Sequence, residues 1–141
     1  MKIKRMFLLP FTIVIASNAF AAGDIEKGKK VFKKCAACHM VGENAKKKTG
    51  PVLNGVVGAK AGQAADFKYS KVLTRMTEDG LVWDEASLTA FLAGPKKFIK
   101  GTKMSFKGLR KETDIANVIA YLATFECREI KSSTLCFSSA I

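Results

Sequence analysis

The chemistry in this sequence concentrates at Cys35-Ala36-Ala37-Cys38-His39. Two thiols three residues apart at the end of a helix can reach the two vinyl groups of one porphyrin. The next residue then offers an imidazole to the iron from the same side, so the spacing is that of covalent haem attachment. Two other chemistries use paired cysteines. A thioredoxin-like redox motif expects a strand-helix setting that this chain does not offer. A zinc site would have to recruit Cys127 and Cys136, which flank the eight residues 128–135 with nothing resembling a zinc knuckle around them.

His39 is the sole histidine, so a second imidazole from this chain cannot fill the other face of the iron. Methionine is the natural candidate, because a thioether favours ferrous iron and raises the potential. Met1 and Met6 fall in a leader segment, and Met40 follows His39 too closely to swing round to the opposite face. Met76 and Met104 remain. Met76 lies in an expected short helix, where methionine commonly packs a core. Met104 lies in the loop Gly101-Thr102-Lys103-Met104-Ser105-Phe106 and is the favoured ligand.

These residues must be positioned by a small domain. Lys2, Lys4 and Arg5 precede an apolar run from Met6 to about Ala16, and Ala19-Phe20-Ala21 fits a small-x-small cleavage pattern. Residues 1–21 are therefore expected to be a cleaved export signal. The competing reading, a membrane anchor, is disfavoured because Pro10, Thr12, Ser17 and Asn18 interrupt a run already short of the roughly 20 residues that a spanning helix needs. About 120 residues then remain, enough for one domain of modest core over 22–126 and an extension over 127–141. A periplasmic location follows from the signal.

The chain carries 24 Lys and Arg against 12 Asp and Glu, and losing the three signal cations leaves 21 against 12, a formal charge near +9. Such a surface seeks acidic partners. Nucleic acid is not expected, since an exported protein rarely meets it and the lysines are spread along the chain without interleaved aromatics.

The periodicities are helical. Asp24 can cap a helix through Lys34, and Ser70 a short one to about Thr77. A third follows Asp84, with Leu88, Phe91 and Leu92 on one side, and stops at Gly94-Pro95. Ile115, Val118, Ile119 and Leu122 form the i, i+3, i+4, i+7 stripe of a final helix. Residues 41–62 and 98–108 read as loops, and loops this long in a small domain point to something they wrap. No stretch alternates long enough for a strand, so the fold class is all-α, with helices near both ends of the mature chain.

Beyond the attachment motif, four segments carry a resemblance: GDIEKGKKVF at 23–32, TGPVLNG at 49–55, PKKFIKGTKM at 95–104 and IAYL at 119–122. Over residues 23–125 the chain resembles class I c-type cytochromes, specifically the mitochondrial cytochrome c and bacterial cytochrome c2 group. The resemblance implies a cytochrome c fold around one covalent haem c. It implies a diffusible carrier that passes single electrons between membrane respiratory or photosynthetic complexes, with Cys35 and Cys38 as attachment points and His39 and Met104 as iron ligands.

The resemblance also implies that the Pro51 carbonyl accepts a bond from the His39 ring, and that Tyr69, Trp83 and Thr102 donate to a haem propionate. Phenol, indole and hydroxyl are all suitable donors, although Trp83 could instead simply fill core space. Lys34, Lys96, Lys97 and Lys103 are the implied docking residues for acidic surfaces of a cytochrome reductase and a terminal oxidase or reaction centre. That docking would be transient, by a monomer. An enzyme, such as a peroxidase-like haem protein, would want an open sixth site and a distal acid-base group, and neither is evident. Two further functions, a haem sensor and a permanently docked oxidase subunit, would also use a haem motif of this kind.

The chain departs from the family at several places. Ala59, followed by Lys60, stands where an arginine near a propionate is common, and Phe91 stands where a tyrosine often faces the methionine ligand. The stretch 69–83 is a few residues longer than in mitochondrial members, pointing to the bacterial branch. The tail from Cys127 has no recognised counterpart. Its two cysteines, in an oxidising compartment, are expected to form a Cys127–Cys136 disulfide.

Overall fold

A computed structural model describes residues 23–125. The export signal, its cleavage point, the extension and the Cys127–Cys136 pair lie outside the described residues. Among the described residues five helices follow one another: α1 Ile25–Phe32, α2 Lys71–Glu78, α3 Glu85–Ala93, α4 Pro95–Phe98 and α5 Glu112–Ala123. Among the described residues the only extended pairing is a single antiparallel bridge between Lys60 and Val82. The molecule is accordingly all-α.

Three helices start where their sequence caps them. The carboxylates of Asp24 and Asp84 accept from the N–H of Lys27 and Ser87, and the Ser70 hydroxyl accepts from Leu73. Each bond satisfies one of the donors that a helix leaves open at its start. Helix α1 ends at Phe32, two residues before the expected Lys34, and the chain continues through tight turns to Cys38. Pro95 stops α3 as expected, but it also occupies the first position of α4, where its fixed φ suits a helix and its missing N–H costs nothing. Helix α4 falls outside the elements expected from the sequence.

Helices α1 and α5 form the principal packing contact, and α3 packs on both α4 and α5. Gly28 makes the first contact possible, because a Cβ there would run into the Asn117 carbonyl and come 2.7 Å from Tyr121 Cβ. Phe32 then packs on Tyr121 with ring centroids 5.5 Å apart and the planes tilted by 52°. The core comprises Val31 and Phe32 of α1, Leu88 and Leu92 of α3, and Ile115, Val118, Ile119 and Leu122 of α5, with Ala61, Trp83, Ile99 and Leu109 from the connecting segments. The expected α5 stripe is thus wholly buried. Helix α2 buries no residue completely and touches no other helix among the described residues.

Candidate functional site

The turn after α1 assembles one half of the site. The N–H groups of Cys38 and His39 both reach the Cys35 carbonyl, at 3.0 and 2.9 Å. Residues i, i+3 and i+4 share one side of such a turn, so Cys35, Cys38 and His39 face the same way. Cys35 is half-buried and Cys38 exposed, and the two are not bonded to each other. Burial pushes the Cys35 thiol above its ordinary value, with Lys34 opposing and Cys38 adding to the rise.

His39 Nδ1 lies 2.8 Å from the Pro51 carbonyl oxygen. A carbonyl only accepts, so Nδ1 carries the proton and Nε2 is left with its lone pair. Burial also lowers the His39 pKa, the Pro51 bond partly offsetting it, and so favours the neutral ring that a metal requires. The proline loop is fastened close to the motif on both sides of Pro51. Gly50 N–H donates to the Cys38 carbonyl at 2.8 Å and Leu53 N–H to the Met40 carbonyl at 3.1 Å. Gly50 is buried against the imidazole, where any Cβ would strike the ring. Asn54 closes the loop with two bonds to Gly42, accepting at 2.8 Å and donating at 2.9 Å.

Met104 lies half-buried in the loop between two buried residues, Ile99 and Leu109. Its N–H donates to Thr102 Oγ1 at 3.2 Å. Met76 is half-buried on α2, packed against the core. Tyr69 accepts from Ala64 N–H at 3.2 Å, and burial raises its pKa, so its hydroxyl keeps a proton to donate. Trp83 is buried 4.9 Å from the Phe91 ring, and its backbone pairs with Gly58 and Ala59. In that pairing Ala61 and Trp83 are buried while Lys60 and Val82 are exposed.

The four lysines expected to dock differ in their surroundings. Lys96 and Lys97 are exposed on α4. Lys34 is paired with Asp114 at 3.4 Å, and Lys103 donates to the Lys68 carbonyl at 3.1 Å. Two lysines outside the expected docking set behave like Lys103: Lys48 donates to the Ala36 carbonyl at 2.7 Å and Lys47 to the Asp66 carbonyl at 2.5 Å. Nothing in their local sequence signals these bonds. Sequence reasoning misses Asn54 and Gly50 as well, although a glycine before Pro51 is a hint of close approach.

The residues fit a haem. Two unpaired thiols and a neutral imidazole with a free lone pair share one face. Leu53, Leu73, Leu81, Phe91, Phe98 and Phe106 pack on the core but remain only half covered, as the walls of an apolar ligand site are.

A family model described as Cytochrome c matches residues 25–126. Cytochrome c2 of Rhodomicrobium vannielii is 48% identical over 124 residues, covering 88% of this chain and 97% of that one. Cytochrome c2 of Rhodoblastus acidophilus is 50% identical over 105 residues, covering 74% and 95%. Among solved structures, cytochrome c2 from Rhodospirillum centenum superposes with a TM-score of 0.68 at 41% identity, covering 74% of this chain and 99% of that one. The chain belongs to the cytochrome c family, as a class I c-type cytochrome of the c2 group. It is a monohaem electron carrier rather than an enzyme, and its cofactor is one covalently bound haem c.

Proposed function

We propose that Cys35 and Cys38 carry the haem thioethers, that His39 and Met104 ligate the iron, and that the chain shuttles electrons in the periplasm between a membrane reductase and a terminal oxidase or reaction centre. The observation that carries this reading is the His39–Pro51 bond, which fixes the proton at Nδ1 and aims a basic Nε2 at a metal. Bound there, the haem supplies a one-electron iron couple.

The chain's own residues hold that couple in place. The half-covered leucines and phenylalanines exclude water, while Tyr69, Trp83 and Thr102 offer donors to a propionate that would be costly to leave unsatisfied. Lys96 and Lys97 are free to meet acidic partners. The apolar run behind Lys2, Lys4 and Arg5 supports export. A redox titration of the mature protein with optical spectra is the test. One covalent haem with a thioether-ligated ferric spectrum is expected, and a zinc protein or a ferric spectrum without thioether ligation would overturn the assignment.

A further inference from the structure

Among the described residues helix α2 packs on no other helix, yet it is not adrift, because it is seated across two glycines. Towards its C-terminal end a Cβ at Gly62 would come 2.7 Å from Thr77 Oγ1. At its N-terminal end a Cβ at Gly101 would come 3.1 Å from Val72 Cγ2. Gly101 adopts φ +94°, the left-handed region that favours glycine, so the loop turns under Val72 where only a bare backbone fits comfortably.

Three residues beyond Gly101 comes Met104. The intervening segment is tied to the same region of the chain a second time, since Lys103 Nζ donates to the carbonyl of Lys68, three residues before α2 begins. Within the loop, Thr102 N–H donates to the Ile99 carbonyl at 3.1 Å, and Thr102 Oγ1 accepts from Met104 N–H. The loop is therefore internally turned, and its outer brace comes from α2 and the residues leading into it. Val72 itself is 39% exposed, one of three β-branched apolar residues, with Ile25 and Val82, that stay open among the described residues. Its inward neighbours Leu73 and Met76 face the core, so core packing does not explain Val72.

We propose that Val72 is a positioning residue for the methionine ligand: its side chain braces Gly101 and limits how far the 101–104 segment can swing away from the iron. This rests on the reading of Met104 as the sixth ligand. Val72 acts through Gly101 rather than on the iron or the porphyrin. Its consequence is kinetic. A small anion that competes for ferric iron must wait for the thioether to leave, and the brace slows that departure.

The experiment is cyanide binding to the ferric holoprotein, followed by stopped flow, in wild type, Val72→Ala and Val72→Thr. Alanine is a better helix former than valine, so Val72→Ala does not weaken α2 through propensity. Threonine keeps the branched shape. A wild-type ferric spectrum with thioether ligation, lost in Met104→Ala, establishes the underlying reading independently. The expected result is a cyanide rate about two- to fivefold faster in Val72→Ala, the effect of one lost side-chain contact, and close to wild type in Val72→Thr. An unchanged rate in Val72→Ala with thioether ligation intact overturns the brace. Equal acceleration in both variants overturns it as well, because shape would then not be what matters. A wild-type spectrum without the thioether would instead sink the Met104 assignment.

Discussion

The backbone of Gly28 in α1 lies directly against the carbonyl of Asn117 in α5, with no room for even one methyl group between them. Helix propensity alone predicts that Gly28→Ala stabilises α1 by up to about 1 kcal/mol. Packing predicts the opposite, because the obstacle is main chain and the helices must separate to admit the methyl. Overpacking of this kind costs about 1–3 kcal/mol or more, so the loss wins. Denaturant titration of the holoprotein is expected to show Gly28→Ala unfolding earlier than wild type. A later midpoint would mean that the two helices have room to spare at this contact.

The imidazole of His39 is held between a Pro51 carbonyl and a Gly50 that tolerates no side chain. Gly50→Ala is expected to tilt the ring and lengthen the Nδ1 bond, weakening the imidazole as a donor to ferric iron. The potential should rise while covalent haem content, measured by mass, stays at one. Redox titration checks the first and intact mass the second.

Met104→Ala should abolish thioether ligation and lower the potential by on the order of 100 mV, within the roughly 0.8 V that axial ligands command. Met76→Ala should leave the spectrum unchanged and only destabilise, since that side chain packs against the core. Spectra that respond to Met76→Ala instead would reverse the assignment.

Electron transfer to an acidic partner should slow as salt rises, because a Debye length of about 8 Å at physiological ionic strength already screens steering charges. Lys96→Glu with Lys97→Glu should slow it about tenfold at low salt with the potential nearly unchanged. Lys34→Glu is a poorer probe, because it also places a second carboxylate beside Asp114. A salt-independent rate would point to a permanently bound subunit.

Asp24 and Asp84 are held below the usual carboxylate range, chiefly by the backbone N–H groups of Lys27 and Ser87 that they cap. A carboxylate whose folded pKa is depressed contributes stability that is present above the unfolded value of 3.8 and lost as pH falls through the folded one. Thermal unfolding of Asp24→Asn and Asp84→Asn should therefore depend less on pH than wild type does in the range below about pH 4. Parallel curves would show that the caps do not titrate in this range.

Much of the fold was legible in the sequence because local rules were enough. Asp24, Ser70 and Asp84 announced three helix starts, and the 115–122 stripe announced the buried face of α5, since capping and amphipathicity are written within a single turn or two. Helix α4 was not legible, because Gly94-Pro95 ends one helix and opens another, and only the extended Gly94 backbone tells the two apart. The lysine-to-carbonyl bonds and the Asn54 clasp join residues 12 to 35 positions apart, and no local pattern encodes such a pairing.

Those lysine bonds also change what the basic surface is. Lys47, Lys48 and Lys103 each spend their ammonium group on a main-chain oxygen from another segment, so they act as rivets as well as charges. An amine-acylating reagent would sort the lysines by kinetics. Lys96 and Lys97 would be labelled early, whereas Lys48 and Lys103 would react more slowly, each having first to release its bond to a main-chain oxygen. A map of slow-reacting amines would thus trace the seams along which the loops are fastened.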